Sequence, residues 1–403
     1  MQIMGKNNYQ FNRSEISGAL GDLGILIPLS LSLITMNGLN PTSVFLSVGL
    51  LYIFAGLYFG IPMPVQPLKA VAAIAIASSL SPNVISAAAF LMGTILLLLS
   101  VTRAVNILVK VFSVPVIKGI QLSIGLLLMI SSFELISKRE FLINGPDMAI
   151  TLFERTLPLG LLVGPLSLLL ILVLIRFPMV PTSLLVLSFG IFMGVFLGSA
   201  SFSSSPSLGP VLPSLSWPSA KDFLLAFVLL VIPQLPLTLG NAVISTTDVA
   251  REYFGSRAQR VTPKRLCYSM GLINIWVGLT GGMPLCHGAG GITAHYRFGA
   301  RTPGANLFIG GFCLLLSLAF GQASILVLSL IPYSVLGALL FYVGWRHVLL
   351  IARVRRRRLD YATVFTVAGA TLIFRNLAIA CGIGIALDWL LNGLMEFRSR
   401  QES

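Results

Sequence analysis

Charged residues are scarce in this chain of 403 residues: they make up 10% of it, while hydrophobic residues make up 56%. A typical soluble domain contains about 25% charged residues. No soluble fold of this size can bury so much apolar surface, so the composition excludes a soluble protein. We therefore predict an integral membrane protein.

Strict alternation of apolar and polar residues, which marks the strands of a membrane barrel, is absent from the apolar runs. Most of these runs approach the length of about 20 residues that a helix needs to cross a bilayer. The sequence therefore predicts an all-α polytopic membrane protein. Its fourteen candidate segments fall at 16–35, 42–60, 66–80, 85–102, 115–136, 157–175, 179–198, 222–245, 265–281, 287–297, 303–320, 323–345, 360–374 and 376–394.

A Ser/Pro-rich stretch divides these segments into seven and seven. An odd number of spans per half inverts the second half relative to the first, as in the inverted repeats of many secondary transporters. We predict a first repeat at 1–200, a connecting loop at 201–220 and a second repeat at 221–403, without a soluble regulatory domain.

The net charge of +14 comes from 27 Lys and Arg residues against 13 Asp and Glu residues, and most basic residues fall in alternate loops. Basic residues collect on the cytoplasmic side of membrane proteins, so this pattern predicts a plasma (inner) membrane protein with cytoplasmic N- and C-termini. The chain has no separate basic domain, so we predict no nucleic-acid partner. The arginine cluster at 355–358 is either a topology anchor or a site for anionic lipid.

The four cysteines form no CxxC pair, which predicts packing residues, and the three histidines are dispersed, which predicts no metal site. The chain has no HExxH, GxSxG or P-loop motif, so we predict neither an enzyme nor a cofactor. The polar N-terminus lacks the cleavage site of a signal peptide, so the first span is expected to be retained.

Two apolar segments are short, are interrupted by glycine and proline, and occupy corresponding places in the two halves. The first runs from Gly60 to Lys69 (GIPMPVQPLK) and the second from Gly281 to Gly291 (GGMPLCHGAGG). Such a pair is the strongest sequence indication of a transporter's substrate site. Each segment is predicted to begin a half-helix near mid-membrane, where free N–H groups and the positive end of the helix dipole favour an anion.

Polar residues beside these half-helices are candidates for binding a tetrahedral anion. Gln66 and His287 hold matching positions and can donate hydrogen bonds, while Lys69 either supplies a positive charge or pairs with Asp22. His287 has the alternative role of a packed histidine bonded to a backbone carbonyl. Glycines allow the backbone to approach the anion closely. The predicted binding residues are Val65, Gln66, Lys69, Gln234, Asn241, His287, Gly288, Ala289 and Gly290.

Gln234, Thr238 and Asn241 have the spacing of one helical face in the eighth span. They either line the substrate cavity or form hydrogen bonds that hold helices together. Asp22 lies in the first span among glycines, and ionisable residues inside spans are usually functional. We predict that Asp22 is the carboxylate that couples transport to a proton.

Four motifs resemble those of the molybdate transporter family, a branch related to the sulfate permeases. They are Gly21-Asp-Leu-Gly24, Ile61-Pro-Met-Pro-Val-Gln-Pro-Leu-Lys69, Pro233-Gln-Leu-Pro-Leu-Thr-Leu-Gly-Asn241 and Met283-Pro-Leu-Cys-His-Gly-Ala-Gly-Gly291, the last followed by His295-Tyr-Arg-Phe-Gly-Ala-Arg301. The resemblance covers nearly the whole chain. It implies seven plus seven spans in a core and a gate domain, with the site between the starts of spans 3 and 10 and facing span 8. It also implies uptake of molybdate coupled to an ion, in a lipid bilayer and in a homodimer.

The residues themselves support an anion carrier but do not distinguish molybdate from sulfate or tungstate, which have the same charge and shape. Alternatives are a sulfate-type carrier and a nucleobase or bicarbonate carrier of the same general fold. A different class is a channel or a membrane-embedded receptor. Saturable uptake that depends on an ion gradient separates a carrier from a channel.

Overall fold

The computed structural model describes residues 9–21, 23–102, 113–142, 145–152, 155–177, 180–197, 208–212, 217–353 and 358–401. Helices dominate these residues, which confirms the predicted all-α membrane fold. The described helices of the first half are α1 (Arg13–Leu20), α2 (Leu23–Asn37), α3 (Pro41–Phe59), α4 (Lys69–Ala77), α5 (Pro82–Val101), α6 (Val114–Ile136), α7 (Gly160–Leu174) and α8 (Thr182–Leu197). Those of the second half are α9 (220–254), α10 (Pro263–Thr280), α11 (Ala289–Arg297), α12 (Gly304–Ser329), α13 (Tyr333–Val348), α14 (Arg358–Phe374) and α15 (Leu377–Gln401).

Among the described residues, two antiparallel ladders, each of two strands, accompany the helices. One joins β1 (Gln66–Pro67) to β4 (Leu285–Cys286), which are far apart in the sequence. The other is a hairpin of β2 (Ala149–Leu152) and β3 (Arg155–Pro158). The first ladder crosses between the two halves, so it determines how the broken segments meet.

Each of the fourteen predicted segments contains a helix, but several boundaries differ: the eighth helix continues to Phe254 and the fourteenth to Gln401. The first segment is two helices, since α1 ends at Leu20 and α2 begins at Leu23. The third helix begins at Lys69 instead of 66 because β1 occupies the preceding residues. The eleventh continues to Ser329, and the break falls at Pro332, which lacks the N–H that continues a helix.

By length and composition, six helical stretches in the described part are long and apolar enough to cross a membrane. They belong to α3, α5, α6, α9, α12 and α13, and the bent pair of α1 and α2 is a seventh if it forms one span. The apolar stretches of α7, α8, α14 and α15 are shorter, at Gly160–Leu174, Thr182–Leu197, Leu359–Phe374 and Leu377–Gly393. The protein is thus an integral membrane protein, and the count of fourteen spans stays a prediction.

Local signals build the same unit in both halves. The N-caps Asn40 and Thr262 start α3 and α10, and a proline follows each of them. Both helices end at a glycine with positive φ, Gly60 at +73° and Gly281 at +67°. In each half an extended segment, a strand of two residues and a half-helix of nine residues follow, α4 in one and α11 in the other.

The halves pack through reciprocal helix pairs: α3 with α12, α10 with α5, and α6 with α13. With α1 and α2 counted together as the first helix, α3 and α10 are the second helices of the two halves, and α5 and α12 are the fourth. The second helix of each half therefore packs on the fourth helix of the other half, as a pseudo-two-fold relation requires. A pair of glycines allows close approach at each contact. A Cβ on Gly49 would lie 2.9 Å from the Gly310 carbonyl oxygen, so larger residues do not fit there. The other two pairs are Gly93 with Gly271 and Gly125 with Gly344.

The boundary between the predicted repeats falls largely outside the described residues, since 198–207 and 213–216 are not among them. The division at 201–220 therefore stays a prediction.

Candidate anion-binding site

The starts of the two half-helices meet at the ladder between the halves. Gln66 in β1 pairs with Cys286 in β4, and both residues are buried. The Leu68 N–H donates to the Pro284 carbonyl oxygen at 2.9 Å and extends the contact by one bond. Because each strand leads almost directly into its helix, the ladder places the positive ends of α4 and α11 beside each other.

Two buried asparagines hold the extended segments that lead to this ladder. The Asn306 amide accepts a hydrogen bond from the Met63 N–H at 2.9 Å and donates to the Met63 carbonyl at 2.7 Å. Asn274 bonds both backbone groups of Leu285 in the same way, at 2.9 Å and 2.7 Å. The backbone before each half-helix lacks helical partners, so these amides satisfy it. Neither asparagine is among the residues predicted from the sequence, although an asparagine inside an apolar run indicates a buried hydrogen bond.

Gln234 on α9 caps the first half-helix. Its Oε1 accepts hydrogen bonds from the backbone N–H groups of Ala70 at 2.8 Å and Val71 at 3.3 Å. Its Nε2 donates to the Thr238 Oγ1 at 3.0 Å. The amide oxygen is therefore occupied by two backbone N–H groups of α4, and one N–H of the amide is used by Thr238. Gln234 thus holds the start of α4, and its contact with an anion stays a prediction.

The helix that carries Gln234 changes its winding on both sides of this residue. Phe227–Val231 and Thr238–Ser245 are π-helical, a form that is rare and frequent at functional sites. The regular spacing predicted from the sequence therefore does not hold through Asn241. That side chain is half-buried, and its Nδ2 lies 3.6 Å from the position that a Cβ on Gly288 would occupy. The π-turn brings Asn241 to the start of α11.

The start of α11 is open, in contrast to that of α4. Gly288 is its N-cap, and no side chain of the described residues caps this helix. The first turn of a helix presents N–H groups that have no partner within the helix, here those of Ala289 and Gly290. Gly290 is exposed, and no atom lies within 4 Å of the place where its Cβ would be. The first turn therefore has open space beside Gly290, where an anion can approach the helix N-terminus.

Lys69 supplies positive charge beside the start of α11. We call the space next to Gly288, Ala289 and Gly290 the opening. Its Nζ donates to Gln66 Oε1 at 2.8 Å, and within the described residues Lys69 forms no ion pair. The Gln66 amide reaches from β1 to the other half-helix: a Cβ on Gly288 would lie 2.8 Å from its Oε1, and one on Gly291 would lie 2.8 Å from its Nε2. The ladder and this pair of side chains therefore link the two half-helix starts.

His287 lies behind the opening. Its Nδ1 donates to the Pro64 carbonyl at 2.9 Å, since a carbonyl can only accept, and its Nε2 then accepts from the Ser269 hydroxyl at 2.9 Å. The ring packs edge-on against Phe59 and is fully buried. Neither nitrogen has capacity left for an anion. The structure therefore gives His287 the packed role that the sequence left open as the alternative.

The predicted binding residues thus separate into two groups. Gln66, Lys69, Asn241, Gly288, Ala289 and Gly290 come together at the opening, whereas Val65, Gln234 and His287 lie behind it. Val65 is buried, and its carbonyl accepts from the Tyr52 hydroxyl at 3.2 Å. Asp22 lies outside the described residues.

Glu15 makes a long-range contact that the sequence did not indicate. It is buried, and its Oε1 accepts hydrogen bonds from the N–H groups of Arg301 and Thr302, each at 2.9 Å. The carboxylate thereby fastens α1 to the turn after α11.

The inverted repeat and the two half-helices that meet at a buried ladder define a membrane transporter. A family model described as "Molybdate transporter of MFS superfamily" matches residues 14–128 and 226–346. The chain belongs to the molybdate transporter family, which confirms the resemblance drawn from its motifs.

Similar proteins agree with this assignment. "Molybdate transporter 2" of Arabidopsis thaliana is 30% identical over 94% of this chain and 87% of its own length. "Molybdate transporter 1" of Chlamydomonas reinhardtii is 27% identical over 93% and 91%.

Solved structures share the fold. The transmembrane domain of the cyanobacterial bicarbonate transporter BicA has a TM-score of 0.63 at 16% identity, with 96% of this chain and 98% of that chain covered. Murine Slc26a9, an anion transporter in the inward-facing state, has a TM-score of 0.67 at 14% identity, with 98% and 69% covered.

Proposed function

We propose that this protein is a secondary active transporter of a tetrahedral oxyanion, and that the oxyanion is molybdate. The observation that carries the proposal is the uncapped start of α11, where free space, two backbone donors and the Lys69 ammonium lie together. The relatives named molybdate transporters supply the substrate. Their similarity extends along nearly the whole chain.

A dianion is stabilised at this place by three kinds of group. The backbone N–H groups of Ala289 and Gly290 and the dipole of α11 attract negative charge. Lys69 adds a formal positive charge, and a hydrogen bond to a charged group contributes about 1.5–3 kcal/mol. The amide of Asn241 adds a neutral donor that orients the oxygens of the anion, and Gln66 holds the Lys69 ammonium beside it.

The two half-helices have different roles in this proposal. The α4 N-terminus is bound to Gln234 and acts as a fixed wall that contributes Lys69 and the positive end of its dipole. The α11 N-terminus holds the anion through its free N–H groups. Gln66 links the two, so that the site persists only when both half-helices move as one unit.

Transport proceeds by alternating access, in which the core that holds the anion moves against the gate and exposes the site to each side in turn. A proton coupled through Asp22 drives the cycle, and the protein works as a homodimer. Asp22→Asn abolishes the pH dependence of uptake if this assignment is right. Uptake with unchanged pH dependence in that variant would remove Asp22 from the mechanism.

The experiment is equilibrium binding of molybdate to the purified full-length protein, with sulfate and tungstate as competitors. We expect tight molybdate binding that tungstate competes for and that a large excess of sulfate does not. Equal competition by sulfate would make the protein a sulfate-type carrier. If none of the three anions binds, the result would contradict the proposal and favour bicarbonate or a nucleobase as the substrate.

The variant that tests the site is Lys69→Gln, with Lys138→Gln as the control. Lys138 is a partly exposed lysine paired with Glu140 at 3.1 Å after the end of α6. We expect a loss of molybdate affinity of about ten- to a hundredfold for Lys69→Gln, from the value of one charged hydrogen bond, and no change for the control. Equal affinities in both variants would contradict the proposed site.

A further inference from the structure

An apolar groove lies on the outer surface between α3 and α10, the equivalent helices of the two halves. Its volume is about 280 Å³, and seven residues line it: Leu50, Leu51, Phe54, Ser269, Leu272, Ile273 and Trp276. Leu50, Phe54, Leu272 and Trp276 are each 37–41% exposed, so their side chains form the rim and face the membrane. A surface with this composition in a membrane protein is covered by hydrocarbon.

One end of the groove is basic. Arg265 precedes Ser269, Leu272 and Trp276 at helical spacing, so all four lie on one face of α10. Arg265 and its neighbour Lys264 are exposed, and within the described residues neither forms an ion pair. Arg265 and Trp276 are separated by about 16 Å along the helix at 1.5 Å per residue.

The end of α3 lies at the same basic end. The Arg260 guanidinium donates to the Tyr58 carbonyl at 3.3 Å, which places the last turn of α3 beside the first turn of α10. Tyr58 stacks on Phe54, and Tyr268 is 42% exposed next to Arg265. Tyrosines of this kind occupy the level of the lipid headgroups. The basic residues therefore lie at the same end of the apolar groove as the tyrosines that mark the level of the lipid headgroups.

The floor of the groove touches the segment that carries the candidate anion site. Ser269 is buried, and its hydroxyl hydrogen-bonds His287, which in turn holds the Pro64 carbonyl before α4. The lining of the groove is therefore one hydrogen bond away from His287.

We propose that this groove binds one anionic phospholipid, with an acyl chain between α3 and α10 and the phosphate on Arg265 and Lys264. A zwitterionic lipid offers the same hydrocarbon but less net negative charge for the two cations. Each basic residue at a membrane surface contributes about 1 kcal/mol to the binding of an anionic lipid, which corresponds to about a fivefold preference. The proposal does not depend on the identity of the transported anion.

The test uses the full-length protein in nanodiscs that contain equal amounts of phosphatidylglycerol and phosphatidylcholine. After the protein is released from the nanodiscs, native mass spectrometry counts the lipids that stay bound to each protomer. We expect one phosphatidylglycerol to be retained selectively. K264Q/R265Q lowers that preference about 25-fold, whereas the matched control R251Q/R297Q, which removes two exposed arginines elsewhere, leaves it unchanged.

A second variant tests the groove separately from the charge. Leu50→Trp fills the groove and is expected to abolish the retained lipid while leaving Arg265 in place. Equal retention of the two lipids by the wild type, or selective retention by K264Q/R265Q, would overturn the proposal. Unchanged lipid but loss of a dimer in Leu50→Trp would show instead that a second copy of the chain covers the groove.

Discussion

The side-chain oxygen of Gln234 accepts a hydrogen bond from the backbone N–H of Ala70 at 2.8 Å, and it thereby caps a half-helix that has no side-chain cap of its own. The two residues are 164 positions apart and belong to different halves of the chain. The first half-helix is therefore held by a helix of the second half. This bond caps the start of α4, whereas the start of α11 remains uncapped by any described side chain.

Gln234→Leu is expected to destabilise the protein, because the N–H groups of Ala70 and Val71 lose their buried acceptor. An unsatisfied buried donor costs about 1–3 kcal/mol. Gln234→Glu keeps an acceptor at the helix start and is expected to retain stability, while its negative charge weakens molybdate binding. Thermal unfolding in detergent and molybdate binding measure the two effects. The control Gln259→Leu changes an exposed glutamine, and an equal loss of stability there would refute the capping role.

Asn306→Leu is expected to lower stability by about 2–5 kcal/mol, because both backbone groups of Met63 become unsatisfied in a buried site. Asn274→Leu is expected to have a similar effect through Leu285. Unfolding midpoints and the fraction of monodisperse protein after extraction are the measurements. Gln259→Leu is the control, since Gln259 is exposed. Wild-type stability in both Asn306→Leu and Asn274→Leu would show that the segments before the half-helices do not need these hydrogen bonds.

Gly290→Ala and Gly291→Ala form a matched pair of adjacent substitutions with opposite expectations. At Gly290 a Cβ meets no atom within 4 Å, so the fold is retained, and alanine favours the helix by about 1 kcal/mol. The methyl group instead enters the proposed anion space, so molybdate affinity falls. At Gly291 a Cβ collides with the Pro64 side chain, so the fold itself is destabilised. Unchanged molybdate affinity in Gly290→Ala would place the anion elsewhere.

Lys69→Gln and His287→Ala distinguish contact with the anion from positioning. Lys69 is half-buried at the opening, so its substitution is expected to lower affinity with little change in the unfolding midpoint. His287→Ala removes two buried hydrogen bonds and leaves a cavity, so stability and affinity fall together. Both quantities are measured on the same preparations. Full stability of His287→Ala with lost binding would mean that the ring contacts the anion after all.

The sequence predicted the helical segments and the two broken elements because their signals are local. An apolar run, a proline after an N-cap and a glycine at a helix end act within about one turn of the chain. The sequence also indicated where Gln66, Lys69, Asn241 and the glycines at 288 and 290 stand relative to those elements. The structure brings these residues together at one opening, and their role in binding stays a proposal.

By itself, the sequence determined a helical membrane protein with a repeated pair of half-helices and a family to which its motifs belong. The tertiary structure decided which half-helix is capped, which one is open, and which candidate residues lie behind the opening. Gln234 is bound to α4, His287 is bound to Pro64 and Ser269, and the π-turn moves Asn241 to the start of α11. A hydrogen-bonding side chain takes whichever partner the packing brings within about 3 Å, and that partner is distant in the sequence.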